Sequence, residues 1–134
     1  MTLGARAVVE NQAGQVLLVR HTYTKGLYFP GGGVEHGELI FDAMRREIEE
    51  EGGVRLTGPA RLVGIYSNHR FMRNDHVALY QIAAADWEPF GDPIGLEISE
   101  CVWCDPLAPP EDATAGTKRR LAELYRGGTV SLHW

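Results

Sequence analysis

Gly32-x5-Glu38-x7-Arg46-Glu47-Ile48-x-Glu50-Glu51-x-Gly53-Val54 is the stretch on which the reading of this 134-residue chain turns. Glu47, Glu50 and Glu51 stand at i, i+3 and i+4, so on an α-helix they share one face with Cβ atoms roughly 5–6 Å apart. Like charges at that spacing destabilise an isolated helix, and something must offset them. A hard divalent cation is the obvious candidate: Mg2+ prefers oxygen ligands, keeps several waters, and is held by one or two carboxylates plus substrate phosphates. Residues 32–54 carry seven acidic and two basic side chains, a formal charge of −5 that equals the charge of the whole chain. The remainder is therefore balanced and the acidity is local. A solvated helix face would also show such a run, so the flanking residues have to decide.

Upstream, Phe29-Pro30-Gly31-Gly32-Gly33 reads as a tight turn that no helix or regular strand tolerates. Glycine lets backbone approach a ligand closely, so the Gly31 carbonyl could join the carboxylates as a ligand. Ile40, Met44 and Ile48 recur at four-residue steps with Phe41 beside them, the mark of a helix flank packed on a core. The spacing predicts a helix over about Glu38 to Glu51, stopped by Gly53 with Gly52. Arg46, beside the carboxylates, reads either as a surface ion pair worth at most about 1 kcal/mol if exposed or as the group that orients one of them.

The full pattern resembles the signature box of the Nudix hydrolases, and none of its positions departs from the family pattern. The resemblance implies an α/β fold, an α/β/α sandwich with a mixed β-sheet between helices. It implies Glu47, Glu50 and Glu51 as metal ligands, with the Gly31 carbonyl added, and Glu38 with Arg46 as the pair that holds the helix and orients Glu47. The implied cofactor is Mg2+ or Mn2+, and the implied reaction is hydrolysis of a nucleoside diphosphate linked to another group. Such metals neutralise developing charge, lower the pKa of a bound water and align it with phosphorus. Relatives place a base or extra ligand in the loop before the last strand, where this chain has Glu97, six residues ahead of Trp103. Glu97 or a box glutamate, Glu50 or Glu51, would take the water's proton. Glu100 competes with Glu97, and both also read as surface charges.

Outside the box the chain reads as strands Ala5–Val9 and Val16–Arg20 joined by a hairpin-type turn at Asn11-Gln-Ala-Gly14. A second strand pair is expected at Arg61–Ser67 and Val77–Ala83, a last strand at Ser99–Cys104, and a helix at about Ala113 to Arg126. Between the second pair, Arg70 and Arg73 alternate with Phe71. Arginine suits phosphate recognition and an aromatic ring suits stacking on a base, so Arg70, Phe71 and Arg73 are candidate substrate contacts. A solvated hairpin loop with one apolar residue folded inward fits equally well. Tyr28, Tyr23, Arg6 and Trp134 are further candidate wall residues. Some relatives that prefer ADP-ribose carry a proline about sixteen residues after the box, where Arg70 stands here; those that prefer dinucleoside polyphosphates often have a tyrosine slightly later, where Phe71 and Met72 stand. Both absences favour a nucleoside triphosphate releasing pyrophosphate. An ADP-ribose or NDP-sugar pyrophosphatase and a non-catalytic nucleotide-sensing module are the alternatives.

Composition fits one domain over residues 1–134, with 44% hydrophobic and 23% charged residues. No apolar run approaches the ~20 residues of a membrane span, and the first residues show no signal-peptide pattern. With two cysteines, no disulfide framework is implied and a cytoplasmic location is the expectation. Cys101 and Cys104 form a C-x-x-C, but three residues apart in a strand they point to opposite faces, and no second Cys/His pair at zinc spacing accompanies them. They read as ordinary half-buried thiols. The net charge of −5 offers no basic patch to duplex nucleic acid and would repel a polyphosphate unless cations invert the local field. The expected partner is a small nucleotide-type molecule, with no membrane, and a homodimer is left open.

Overall fold

Period-two alternation sorts the strand residues of this chain onto two faces, and each face buries a helix. The computed structural model describes residues 1–93 and 97–134. In order the elements are β1 (Thr2–Val9), β2 (Val16–His21), β3 (Leu27–Tyr28), β4 (Gly31–Gly33), α1 (Ile40–Gly52), β5 (Val54–Leu56), β6 (Arg61–Ser67), β7 (Asp75–Ile82), a 3₁₀ turn (Ala84–Asp86), β8 (Trp87–Pro89), β9 (Ile98–Cys104) and α2 (Ala115–Tyr125). Ala5, Ala7 and Val9 of β1 and Ala78, Tyr80 and Ile82 of β7 pack with Ala43, Met44 and Ile48 of α1. Val8, Leu79, Leu18, Leu27, Phe29 and Tyr66 turn the other way and bury Leu121 of α2. The small alanines on the α1 side let the helix lie close to the sheet. This is the expected α/β/α arrangement.

The mixed sheet has the order β4-β1-β7-β6, with β1 parallel to β7 and antiparallel to β4. A three-stranded antiparallel sheet, β3-β2-β9, and a β5-β8 ribbon stand beside it. β1 and β2 do not form the expected hairpin ladder. The turn at 11–14 forms, with Gly14 N–H donating to the Asn11 carbonyl and the Asn11 side chain accepting from Ala13 and Gln15 N–H. Across it the chain is joined by one bridge, Glu10 to Val16, and by Asn11 N–H donating to the Gln15 carbonyl, with no longer ladder among the described residues. Both edges of β1 are already paired, to β4 and β7, so β2 diverges and pairs with β3 and β9.

α1 begins two residues later than its pattern suggests, with Leu39 at the N-cap. Glu38 belongs instead to a turn: its N–H donates to the Glu35 carbonyl and its carboxylate accepts the Glu35 N–H. The helix ends as expected, on Gly53 at φ 63° with its N–H returned to Glu49. α2 is capped by Thr114, whose hydroxyl accepts the Thr117 N–H at 3.2 Å. Cys101 packs toward the α1 side and Cys104 toward the α2 side. Burial pushes the Cys101 thiol up to about 11 and raises Cys104 too, so both stay protonated and the C-x-x-C is two packed thiols. Among the described residues no helix is long and apolar enough to cross a membrane.

Candidate active site

The 29–33 segment with β4, the acidic flank of α1 and the end of β2 converge on one place. The tight turn expected at 29–33 is corrected by the fold: Gly31–Gly33 are strand β4, and Gly32 and Gly31 pair with Ala5 and Arg6 of β1. The α1 carboxylates then come up underneath β4. Gly32 lies so near Glu47 that a Cβ there would sit 2.6 Å from Oε1. Only glycine permits that approach. Glu51 is tied at both oxygens, Oε1 to Gly31 N–H at 3.1 Å and Oε2 to His21 Nε2 at 3.0 Å.

Arg46 is the organising cation. Its Nε and Nη2 bind Glu38 Oε2 and Oε1 at 2.9 and 3.0 Å, a bidentate fork of the strong charge-assisted kind. Its Nη1 reaches Glu47 Oε1 at 2.8 Å, and its Nη2 also donates to the Gly33 carbonyl at 3.1 Å. Glu50 Oε2 lies 3.5 Å from the same guanidinium. Arg46 therefore ties β4, the pre-helical Glu38 and α1 together. Its hydrogen bonds hold the Glu38 carboxyl down to about 2, with help from the Glu35 N–H, and Glu38 in turn raises Arg46.

The carboxylates differ in environment. Glu47 and Glu51 are 8% and 5% exposed, whereas the Glu50 side chain is 58% exposed. Burial raises the Glu47 pKa, the Glu51 charge raises it further, and Arg46 opposes both. Arg6 stands on the other side of the 29–33 segment, donating to the Phe29 carbonyl at 2.6 Å with its guanidinium 5.4 Å from the Tyr28 ring. Burial lowers its pKa while Glu51 and Glu47 hold its proton on. Tyr23 feels Glu51 and Glu97, and its pKa is raised by burial first and by those charges next.

These residues fit a hard cation in donor chemistry: they offer oxygens only, two of the carboxylates are buried, and the Glu51 charge adds to the burial that raises the Glu47 pKa. Among the described residues, no three His, Cys, Asp or Glu side chains already stand together at ligating distance. Glu47 and Glu50 lean on Arg46, and Glu51 is held by Gly31 and His21.

The other sequence candidates fall in two places. Tyr28 is at the site, edge-on to His21. Glu97 is exposed, hands its carbonyl to Thr22 N–H at 2.9 Å, and is near enough to act on Tyr23. Glu100 is engaged instead with Arg20, Oε1 to Nε at 3.0 Å. The 68–75 loop stands apart. Arg70 lines a cavity of about 360 Å3 with His69, Arg119, His133 and Trp134, and none of the box carboxylates lines it. Phe71 is 68% exposed and so is not folded inward, and Arg73 is exposed beside it. Trp134 packs on Phe29 and Tyr66 in the α2-side core. Local pattern could not reveal the His21–Glu51 contact, because it joins positions on two elements that only the fold brings together.

A family model, the NUDIX domain, matches residues 1–125. The chain belongs to the Nudix hydrolases. Members of this family generally work with divalent cations. The chain is 29% identical over 126 residues to a Bacillus subtilis (strain 168) protein described as "Putative 8-oxo-dGTP diphosphatase", covering 94% of this chain and 81% of the relative. It is 28% identical over 106 residues to the 8-oxo-dGTP diphosphatase of Haemophilus influenzae, covering 75% of this chain and 74% of that one. Among solved structures, the MutT NUDIX hydrolase from Burkholderia pseudomallei superposes with a TM-score of 0.77 at 22% identity, over 92% of this chain and 97% of that one. That last likeness concerns the fold.

Proposed function

We propose that this Nudix hydrolase is a metal-dependent nucleoside triphosphate pyrophosphohydrolase, with residues 1–134 acting as one domain. The observation that carries the reading is the pair of buried carboxylates, Glu47 and Glu51, set against the glycines of β4, with the exposed Glu50 on the same helix flank. Glu47, Glu50 and Glu51 would hold Mg2+ or Mn2+, with the Gly31 carbonyl as a backbone ligand. Bound there, the cation would neutralise phosphate charge and lower the pKa of a water. Glu38 and Arg46 keep Glu47 in place through the fork. Glu97, the exposed carboxylate on the neighbouring loop, takes the proton from the attacking water. Tyr28 lines the substrate side, and Arg70, Phe71 and Arg73 would reach the site only at the far end of a long substrate. Two relatives carry the descriptions "Putative 8-oxo-dGTP diphosphatase" and "8-oxo-dGTP diphosphatase", and the triphosphate in those names supports a triphosphate here.

A panel of nucleoside triphosphates, NDP-sugars, ADP-ribose and dinucleoside polyphosphates with Mg2+ and Mn2+ tests the assignment. Pyrophosphate release from triphosphates at the highest kcat/KM is expected. A preference for ADP-ribose or an NDP-sugar, which would release no pyrophosphate, would reassign the substrate. Binding without turnover on the whole panel would make the protein a sensor.

A further inference from the structure

His21 closes β2 at an irregularity, where the register with β9 shifts between Arg20 and His21. Its side chain is 5% exposed. Tyr23 lies 5.3 Å away between ring centroids and Tyr28 5.4 Å away, edge-on. Nε2 is 3.0 Å from Glu51 Oε2, while Gly31 N–H takes the other oxygen at 3.1 Å. An ionised carboxylate only accepts hydrogen bonds, so Nε2 carries the proton and donates. Each oxygen of Glu51 is thus fixed by an element other than its own helix.

We infer that His21 is a positioning residue that holds the Glu51 carboxylate in the rotamer needed to ligate a divalent cation. The inference rests on Glu51 being a ligand, as proposed above. A glutamate on a helix has three rotatable side-chain bonds, and Glu51 also sits among like charges that would swing it outward. The Gly31 N–H alone fixes one oxygen and leaves the carboxylate free to pivot about it; the His21 donor removes that freedom. The two tyrosine rings keep the imidazole from turning away. Partners that orient a ligand in this way typically contribute about 10–100-fold to metal affinity. The competing role for a buried ring between two tyrosines is packing alone.

Two substitutions separate these roles, read by Mn2+ affinity from electron paramagnetic resonance titration, with melting temperature recorded alongside. His21→Gln loses the ring but keeps an N–H donor near the place of Nε2. His21→Phe keeps the ring and its volume but has no donor. Positioning predicts Mn2+ affinity close to wild type in His21→Gln and weaker by about tenfold or more in His21→Phe, even where His21→Phe melts at the higher temperature. Tight Mn2+ binding in His21→Phe, or equal weakening in both variants, overturns the inference. Glu51→Gln is the reference. It should bind Mn2+ more weakly than either variant, and wild-type affinity there would overturn the ligand assignment itself rather than the role of His21.

Discussion

Glu50 separates metal ligation from folding more cleanly than its neighbours, because its side chain is 58% exposed and its nearest charged partner, Arg46, has stronger bonds elsewhere. Glu50→Gln should leave the fold within about 0.5 kcal/mol, the usual range for surface changes. If Glu50 ligates, several kcal/mol of charge stabilisation are at stake, and kcat should fall at least about a hundredfold at 1.36 kcal/mol per decade. Initial rates and a melting curve check both halves; retained activity removes Glu50 from the ligand set. Glu51→Gln is less clean. The amide can keep its oxygen on Gly31 N–H only by turning its NH2 toward His21, which reverses that hydrogen bond and requires the other imidazole tautomer, so some loss there is structural. For the base, Glu100 is engaged by Arg20 and Glu97 is exposed near Tyr23. Glu97→Gln should therefore lower kcat by about 10²–10⁴-fold, the worth of positioned proton transfer, with KM little changed because a base acts in the transition state. Glu100→Gln should stay near wild type. The reverse ranking in steady-state kinetics would move the base to β9.

The loop–helix unit makes a contrast between two glycines. A Cβ on Gly32 would drive into the Glu47 carboxylate, whereas Gly53 sits at φ 63° with Pro93 Cδ 3.0 Å and the Phe90 carbonyl 3.3 Å from the place of its Cβ. Gly53→Ala should lose about 1–2 kcal/mol of stability, the cost of a left-handed non-glycine residue, and keep its kcat. Gly32→Ala should do the opposite, abolishing turnover while the urea midpoint moves less. A second property of the unit is acid sensitivity. The Glu38 carboxyl is held down to about 2, below the ordinary value of about 4.3. Its contribution is therefore complete above the ordinary value and disappears as pH falls through about 2; Glu38→Gln should flatten the acid limb of melting temperature against pH over that window. This unit was legible in the sequence because its signals are local: apolar residues every fourth position, glutamates on the opposite flank, glycines at both ends. Its start was misplaced by two residues because Glu38 is recruited by Arg46 from outside the helix. The β1–β2 hairpin failed for a non-local reason. Nothing near residues 10–16 says that β4 and β7 already occupy both edges of β1. The 68–75 loop shows the same limit, since its composition suits a phosphate but the fold places Arg70 against the C-terminal residues.

Across the whole molecule the charge is arranged so that the fold works against itself at one place. Residues 32–54 hold a formal charge equal to the −5 of the entire chain, and two of their carboxylates are buried side by side under the glycines of β4. The hydrophobic faces of α1 and α2 and the strands between them supply the stability that tolerates this, and Arg46 offsets part of it. A divalent cation should offset the rest, so loading the site should be visible in global stability as well as in rate. A ligand at a hundred times its Kd adds about 2.7 kcal/mol, which for a domain of this size is roughly 10 °C in Tm. Treatment with EDTA should abolish hydrolysis and lower Tm, and Mg2+ or Mn2+ should restore both. Glu47→Gln should melt at or above the temperature of the metal-free wild type, because it loses a buried like charge, and should gain little from added Mn2+. The sign of that difference is what distinguishes a metal site from a merely acidic helix face: an acidic face would be stabilised by high concentrations of any salt, in wild type and variant alike, and the enzyme would keep its full activity in EDTA.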